Sequence, residues 1–382
     1  MTRGGLDAAP VIVAGRRTAI GTAGRGFAAH TVDALAAPVL AEVARLVSPS
    51  GLHIDDVILG NCMGPGGDVA RVAALRAGLG FEVPGVTVDR QCGSGLDAVL
   101  QAASRVKAGD AQLVLAGGAE SASTAPHRVW PESGERYARA PFAPPGFPDP
   151  DMGPAADRLA VVRGITRARQ DAWAARSHAL ATSARDAGLF ETEIVAVDGV
   201  ARDDRPRASL DAATLARFAP AFSSSYEATV TAGNSCGFSD GAAAMAVTTE
   251  RVARELGLPA LRIRAAAVAG GDPALPGLGA APAARVALAR AGLAARDLGF
   301  VEITEAFAAQ VLAVSDELEL DEELISGDGG AIALGHPWGA SGAVLLVRLA
   351  ARMAATDDPR PGLAACSIGG GQGVAIIVEK AE

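Results

Sequence analysis

Cysteine is scarce: four in 382 residues, at positions 62, 92, 236 and 366. With no regular spacing they exclude a disulfide framework and a structural zinc site, and they suit a reducing cytoplasm. Aromatic residues make up only 4% of the chain, so the core must be filled by Ala, Val and Leu. Basic residues are in deficit, 34 Lys and Arg against 43 Asp and Glu. The resulting net charge of −9 disfavours nucleic acid as a partner, although a local arginine cluster still admits an anionic small molecule. Long apolar runs are missing as well, and no stretch can span a bilayer. The start, Met1-Thr2-Arg3-Gly4-Gly5-Leu6-Asp7, lacks the apolar core of a signal peptide and leads into an expected strand at Val11–Ala14. At this length two or three packed units are expected.

What is present is chemistry at two separated points. Val86-Thr87-Val88-Asp89-Arg90-Gln91-Cys92-Gly93-Ser94-Gly95-Leu96 reads as a β-branched strand that turns at a glycine-flanked cysteine into an apolar helix. Such an elbow lifts the thiol toward the positive end of a helix dipole, where its pKa is expected to fall and its reactivity to rise. Near the other end, Gly329-Gly330-Ala331-Ile332-Ala333-Leu334-Gly335-His336-Pro337 sets a histidine in a glycine-rich turn. A cysteine with a histidine is the smallest set that can hold an acyl group as a thioester.

The surroundings of the two points look like copies of one unit. Gly93–Leu96 begins a helix ending near Val106, followed by the strand Gln112–Ala116 and Gly117-Gly118. Ala340–Ala343 begins a helix ending near Met353, followed by Gly362–Cys366 and Gly369–Gly371. Both helices are apolar on nearly every face, which places them inside the protein. A duplicated α/β domain follows, one half supplying the thiol and the other the imidazole. Between them Pro126–Pro154 is rich in proline and reads as a long excursion over a binding site. Thr166 is expected to cap a helix that runs to about Ala187 and stops at Gly188, and Gly241–Val247 reads as an Ala-rich helix. The boundaries drawn are 1–121 with 241–256 for the first half, 122–240 for an insertion, and 257–382 for the second half.

With these pieces assembled, the chain resembles the thiolase family. The matching segments are Asp89–Gly95, Gly117–Ser121, Thr229–Gly233 with Asp240–Ala244, Glu305–Ala308, Gly329–Pro337 with Gly339–Gly342, and Ile368–Gly373, all in the family's order. The resemblance implies a five-layer αβαβα core, an inserted loop domain that holds coenzyme A, and a homodimer or homotetramer. It implies acyl-CoA substrates, no permanently bound cofactor and no metal. Cys92 would carry the acyl group, His336 would take its proton, and backbone amides of Cys92 and Gly369 would form an oxyanion hole. Arg207 matches the adenine-side arginine. Met152, Phe222, Ala232, Ser235 and Phe307 match positions lining the pantetheine tunnel.

Three departures fall at the chemistry. The family's Asn-Glu-Ala-Phe reads Thr304-Glu305-Ala306-Phe307, replacing an asparagine that fixes a water. The second catalytic cysteine falls, without a gap, on Ser367, with Cys366 one residue early. A serine hydroxyl is too weak an acid to serve as the base for an α-proton. Either Ser367 occupies that position, which the gapless match favours, or a bulge brings Cys366 there. Cys236 stands where the family has a pantetheine-contacting serine. Among the remaining candidates, Cys62 is read as core, and His30, His53, His127 and His178 as surface or capping residues. Glu305 is expected to orient His336 or a backbone amide. These features support a thiolase-type acyl-CoA C-acyltransferase, with an altered second half-reaction. The competing readings are a thiolase-fold condensing enzyme of specialised metabolism and a non-catalytic subunit that binds acyl-CoA.

Overall fold

Apolar runs become strands here wherever helices cover both faces of a sheet. The computed structural model describes residues 9–381, so the stretch Met1–Asp7 lies outside the described residues. The first half contributes β1 (Pro10–Arg17), β2 (Asp56–Gly60), β3 (Gly85–Val88), β4 (Leu113–Ser121) and β5 (Ser239–Thr249). The second contributes β6 (Ala260–Gly270), β7 (Phe300–Ile303), β8 (Gly362–Ile368) and β9 (Gln372–Lys380). Helices α1 (Val32–Val47), α2 (Val69–Arg76) and α3 (Ser94–Ala108) belong to the first half. Helices α4 (Met152–Arg163) and α5 (Arg167–Asp186) lie between β4 and β5. The second half holds α6 (Ala280–Ala291), α7 (Ala308–Leu318), α8 (Ala331–Leu334) and α9 (Trp338–Ala354).

The strands are ordered β7-β8-β9-β6-β1-β5-β4-β2-β3, with the short piece Gly21–Thr22 paired to β5. Outward from the antiparallel β1–β6 seam, the order is β1-β5-β4-β2-β3 on one side and β6-β9-β8-β7 on the other, so the first side repeats the second and adds one edge strand. The outer strands of each half run parallel, β4 with β2 and β2 with β3 on one side and β8 with β7 on the other. One topology is therefore used twice. Between the two halves of the sheet, Leu96 and Val99 of α3 and Leu345 and Leu346 of α9 pack with Ile12, Ile58, Val374 and Ile376. On the outer faces, Leu35 and Val39 of α1 cover Val57 and Leu115, while Leu288 of α6 and Leu312 of α7 cover Leu363 and Ile377. The result is the five-layer αβαβα stack.

The middle layer is thin because two glycines allow it. A Cβ on Gly95 would lie 2.7 Å from the Ala343 nitrogen, and one on Gly342 2.5 Å from the Leu96 nitrogen. Helices α3 and α9 thus meet backbone to backbone, which brings their N-terminal ends, where Cys92 and His336 are attached, close together.

Two sequence expectations fare differently. Thr166 does cap α5, its side chain accepting from the Arg169 N–H. Gly241–Val247, expected as a helix, is part of strand β5. Alanine's helix propensity is a weak preference. Here it yields to burial on both faces, where small side chains let β5 sit between β1 and β4. The segment between β4 and β5 is tied down by buried charge. Arg17 at the end of β1 pairs with Asp203 and Glu193, both at 2.7 Å, and Arg348 of α9 shares Glu193. The Phe190 ring lies between the two guanidinium groups, 5.2 and 4.5 Å away. Removing one partner from such a buried set leaves an uncompensated charge, which costs about 3–5 kcal/mol. Among the described residues no helix is long and apolar enough to cross a membrane.

Candidate active site

The chain leaves β3 at Val88 and must reverse within five residues to start α3 at Ser94. Gln91 absorbs the turn with φ +46°, a left-handed conformation that costs a side-chain-bearing residue roughly 1–3 kcal/mol. Local hydrogen bonds hold it there. The Gln91 N–H donates to Asp89 Oδ1 at 2.8 Å, and the Ser94 hydroxyl donates to the Gln91 carbonyl at 2.6 Å while accepting the Arg90 N–H at 2.8 Å. Cys92 is thereby presented just before the first turn of α3.

His336 sits between α8 and α9, and its backbone is held by the other half. Its N–H donates to Ser239 Oγ at 3.1 Å, and Phe238 bridges to it at the start of β5. Nε2 lies 3.3 Å from Cys92 Sγ, and Nδ1 lies 2.6 Å from Ser341 Oγ. Two buried carboxylates brace the segment on either side. Glu305 accepts the Ile332 N–H at 3.2 Å, the Trp173 indole at 2.9 Å and the Ser177 hydroxyl at 2.7 Å. Glu120 accepts the N–H groups of Gly339 at 3.0 Å, Cys62 at 3.1 Å and Met63 at 3.1 Å, and the Asn61 amide at 2.9 Å. Burial pushes the Glu305 carboxyl up to about 7 and raises that of Glu120, whose backbone donors oppose the rise.

The surroundings of Cys92, itself partly exposed, invert the expectation for its thiol. Burial, followed by the neighbouring Cys366 and Cys236, pushes its thiol well above the ordinary value. Burial takes the His336 imidazole down to about 4. Both shifts favour the neutral forms, so desolvation outweighs the helix-end effect that sequence alone suggested.

The second candidate position is divided. Strand β8 pairs with β9 in unbroken register from Gly362↔Val378 to Ile368↔Gln372, so there is no bulge. Cys366 is fully buried in the middle layer, its thiol donating to the Cys92 carbonyl at 3.2 Å, and burial pushes it up to about 12. Ser367 takes the opposite face of the strand. Its hydroxyl donates to the Gly277 carbonyl at 2.7 Å and accepts from the Ala280 N–H at 3.0 Å and the Gln310 amide at 3.4 Å. Neither side chain offers a free base. Thr304 is buried, lines a cavity of about 20 Å³, and sets its hydroxyl beside the Cys366 thiol, where it opposes the rise in that thiol's pKa.

The remaining candidates gather in part. The Phe222 and Phe307 rings meet edge to face at 5.9 Å, Ser235 bridges to Phe307, and the Cys236 N–H donates to the Ala306 carbonyl at 3.0 Å. Met152 opens α4 beside Gly153, where a Cβ would lie 2.3 Å from the Phe222 ring. Arg207 and Ala232 are exposed. Gly369 follows β8 directly, and a Cβ there would lie 2.6 Å from the Phe142 ring. The proline-rich excursion therefore folds over the C-terminal glycine run.

Similarity to known proteins bears on this geometry. Residues 10–251 match the family described as thiolase, N-terminal domain, and residues 258–380 match thiolase, C-terminal domain. The chain belongs to the thiolase family. It is 41% identical to an acetyl-CoA acetyltransferase of Escherichia coli K12, covering 97% of this chain and 98% of that protein. It is 40% identical to the putative acetyl-CoA C-acetyltransferase YhfS of Bacillus subtilis, covering 97% and 98%. The crystal structure of the Bacillus anthracis acetyl-CoA acetyltransferase superposes with a TM-score of 0.90 at 37% identity, covering 97% and 98%.

In this thiolase one further sequence expectation needs correction. His178 is not at the surface: it is 3% exposed on α5, and burial, then the charges of Arg205 and Arg207, lowers its pKa to about 4. Of the two roles expected for Glu305 the structure shows the second, a hold on the Ile332 backbone amide, while the Nδ1 partner of the His336 ring is Ser341. Of the two readings of the second position, the bulge that would carry Cys366 across the strand does not form, in line with the gapless match. Ser341 and Glu120 were missed altogether. Glu120 had one available signal, a lone acid at the end of an otherwise apolar strand.

Proposed function

We propose that this thiolase is an acyl-CoA C-acyltransferase that holds its acyl group on Cys92 between two thioester carriers. The 3.3 Å approach of His336 Nε2 to Cys92 Sγ carries this reading. As sulfur attacks the acyl-CoA carbonyl, its proton passes to Nε2. The bond from carbonyl carbon to CoA sulfur then breaks, and the departing thiolate takes the proton back. Charge on the carbonyl oxygen develops beside the backbone N–H groups of Cys92 and Gly369, our candidates for the oxyanion hole. The relatives named acetyl-CoA acetyltransferases support acetyl as the group transferred.

Residues 122–240 are read as the unit that holds coenzyme A, between a first half made of 1–121 with 241–256 and a second half of 257–382. Phe222, Phe307, Ser235, Cys236 and Met152 would line the pantetheine path, with Ala232 at its rim and Arg207 toward the adenine end. A guanidinium suits a nucleotide's phosphates or stacking face. Four free cysteines suit the cytoplasm, and a homo-oligomer is expected.

In the condensing direction the acyl group leaves Cys92 for the α-carbon of a second acyl-CoA, once a base has taken the α-proton. Ser367 is our candidate for the family's position of that base, on the gapless match, and its hydroxyl donates to the Gly277 carbonyl. The carbon–carbon half-reaction is therefore expected to run slower than acyl loading. The test is direct. Acetyl-CoA should add one acetyl group to the protein by intact mass, and the adduct should vanish in Cys92→Ala. Absorbance-monitored thiolysis of acetoacetyl-CoA then measures the second half. Absence of any adduct would overturn the acyltransferase reading, and thiolysis as fast as loading would overturn the slow second half.

A further inference from the structure

The ring of His336 has one polar contact on its far side, and that contact counts protons. Nδ1 lies 2.6 Å from Ser341 Oγ, and the same oxygen lies 3.0 Å from the Pro337 carbonyl. Both residues are buried, with 2% of His336 and 5% of Ser341 exposed, so water does not compete for these bonds. The hydroxyl has one proton, and a carbonyl can only accept. If Ser341 donates to Pro337, its lone pair must receive a proton from Nδ1. The imidazole is then the Nδ1–H tautomer, and Nε2 is bare where it meets the Cys92 thiol at 3.3 Å. In the opposite arrangement Ser341 donates to Nδ1. The Pro337 bond is then lost, and an Nε2–H points at a thiol that is only a weak acceptor. The first arrangement satisfies every donor.

We propose that Ser341 is a positioning residue for acyl transfer, holding His336 in the tautomer that can take the Cys92 proton. This rests on the reading of Cys92 as the acyl carrier. A hydroxyl in this place differs from a carboxylate in one useful way. It orients the ring and accepts from Nδ1–H, yet adds no charge that would draw the thiol proton across before substrate arrives. Glu305 and Glu120 touch only backbone amides of the flanking segment, so the ring itself stays free of carboxylate contact.

The test starts with the wild-type protein. In ¹⁵N-histidine spectra the His336 signals, identified by their loss in His336→Asn, should show a protonated Nδ1 and a bare Nε2 near neutral pH. An Nε2–H signal in the resting protein would overturn the proposal. Ser341→Ala should slow acetyl loading of Cys92 about 10- to 100-fold, less than the loss of a general base itself because His336 remains. It should leave KM for acetyl-CoA unchanged and shift the ring toward Nε2–H, with Ser341→Thr restoring rate and tautomer together. A Ser341→Ala protein that loads at the wild-type rate would also overturn it. If the wild type fails to load acetyl at all, the acyltransferase reading falls, whereas the spectrum still reports the tautomer.

Discussion

At the scale of single residues, the site stores no charge until it is used. A thiol raised by burial stands against an imidazole lowered to about 4, so both shifts oppose an ion pair in the resting site. Charge separates only when a carbonyl oxygen is present to take it. Alkylation of Cys92 by iodoacetamide should therefore keep rising with pH through the alkaline range, because the reactive thiolate is scarce below the raised pKa. A rate that levels off near neutrality would mean a preformed thiolate and would refute this account. Ser367 gives the second prediction at this scale. An alcohol is many orders weaker as an acid than a thiol, so Ser367→Cys should raise acetoacetyl-CoA thiolysis at least about 10-fold relative to acetyl loading. An unchanged ratio of the two rates would show that Ser367 does not limit the carbon–carbon step.

At the scale of elements, short pieces of chain hold the chemistry and buried acids hold the pieces. Glu305 takes the Ile332 amide of α8, and its folded pKa is about 7 against an ordinary 4.5. Unfolded chains lose that proton near pH 4.5, while the folded chain keeps it to about 7. This contribution to stability is fullest below pH 4.5, declines as pH rises to about 7 and is level beyond; its span is on the order of 3 kcal/mol. His178 and His336, both lowered to about 4 from 6.5, pull the opposite way across that lower window. The readout is therefore the difference between wild type and Glu305→Gln in urea unfolding. That difference should change between pH 5 and pH 7.5, and a constant offset would place the titration elsewhere. Such elements were unevenly visible in the sequence. The elbow at Cys92, the cap at Thr166 and the doubled unit announce themselves, because turn chemistry and periodicity are local. The strand at Gly241–Val247 did not, since alanine prefers helix and only the sheet on either side decides otherwise. Ser341 was invisible for a related reason: a serine one turn into an apolar helix has no local signature, and its role exists only once His336 folds back onto it.

At the scale of the whole molecule, the sheet has two ends, and they are finished differently. At β7 the neighbouring chain closes the edge: Val301 pairs with Ile325 and its carbonyl accepts the Ser326 N–H at 2.8 Å. At the other end β3 is the last strand, and apolar side chains gather around it. Phe81 is 86% exposed, with Val86 on the strand itself and Val72 and Leu75 on α2 also exposed. An open edge flanked by apolar surface invites pairing, and a two-fold axis would set the same edge of a second copy against it. The position matters for function, because β3 leads within four residues into Cys92 and its strained neighbour Gln91. A second copy against β3 would brace the strand from which the nucleophile turns. We predict a homodimer through this edge. Light scattering at micromolar concentration should give twice the chain mass, and Phe81→Glu combined with Val86→Lys should give monomers that load acetyl more slowly. A wild type that is monomeric, or a double variant that stays dimeric, would move the interface away from β3 and leave the elbow to be held by its own hydrogen bonds.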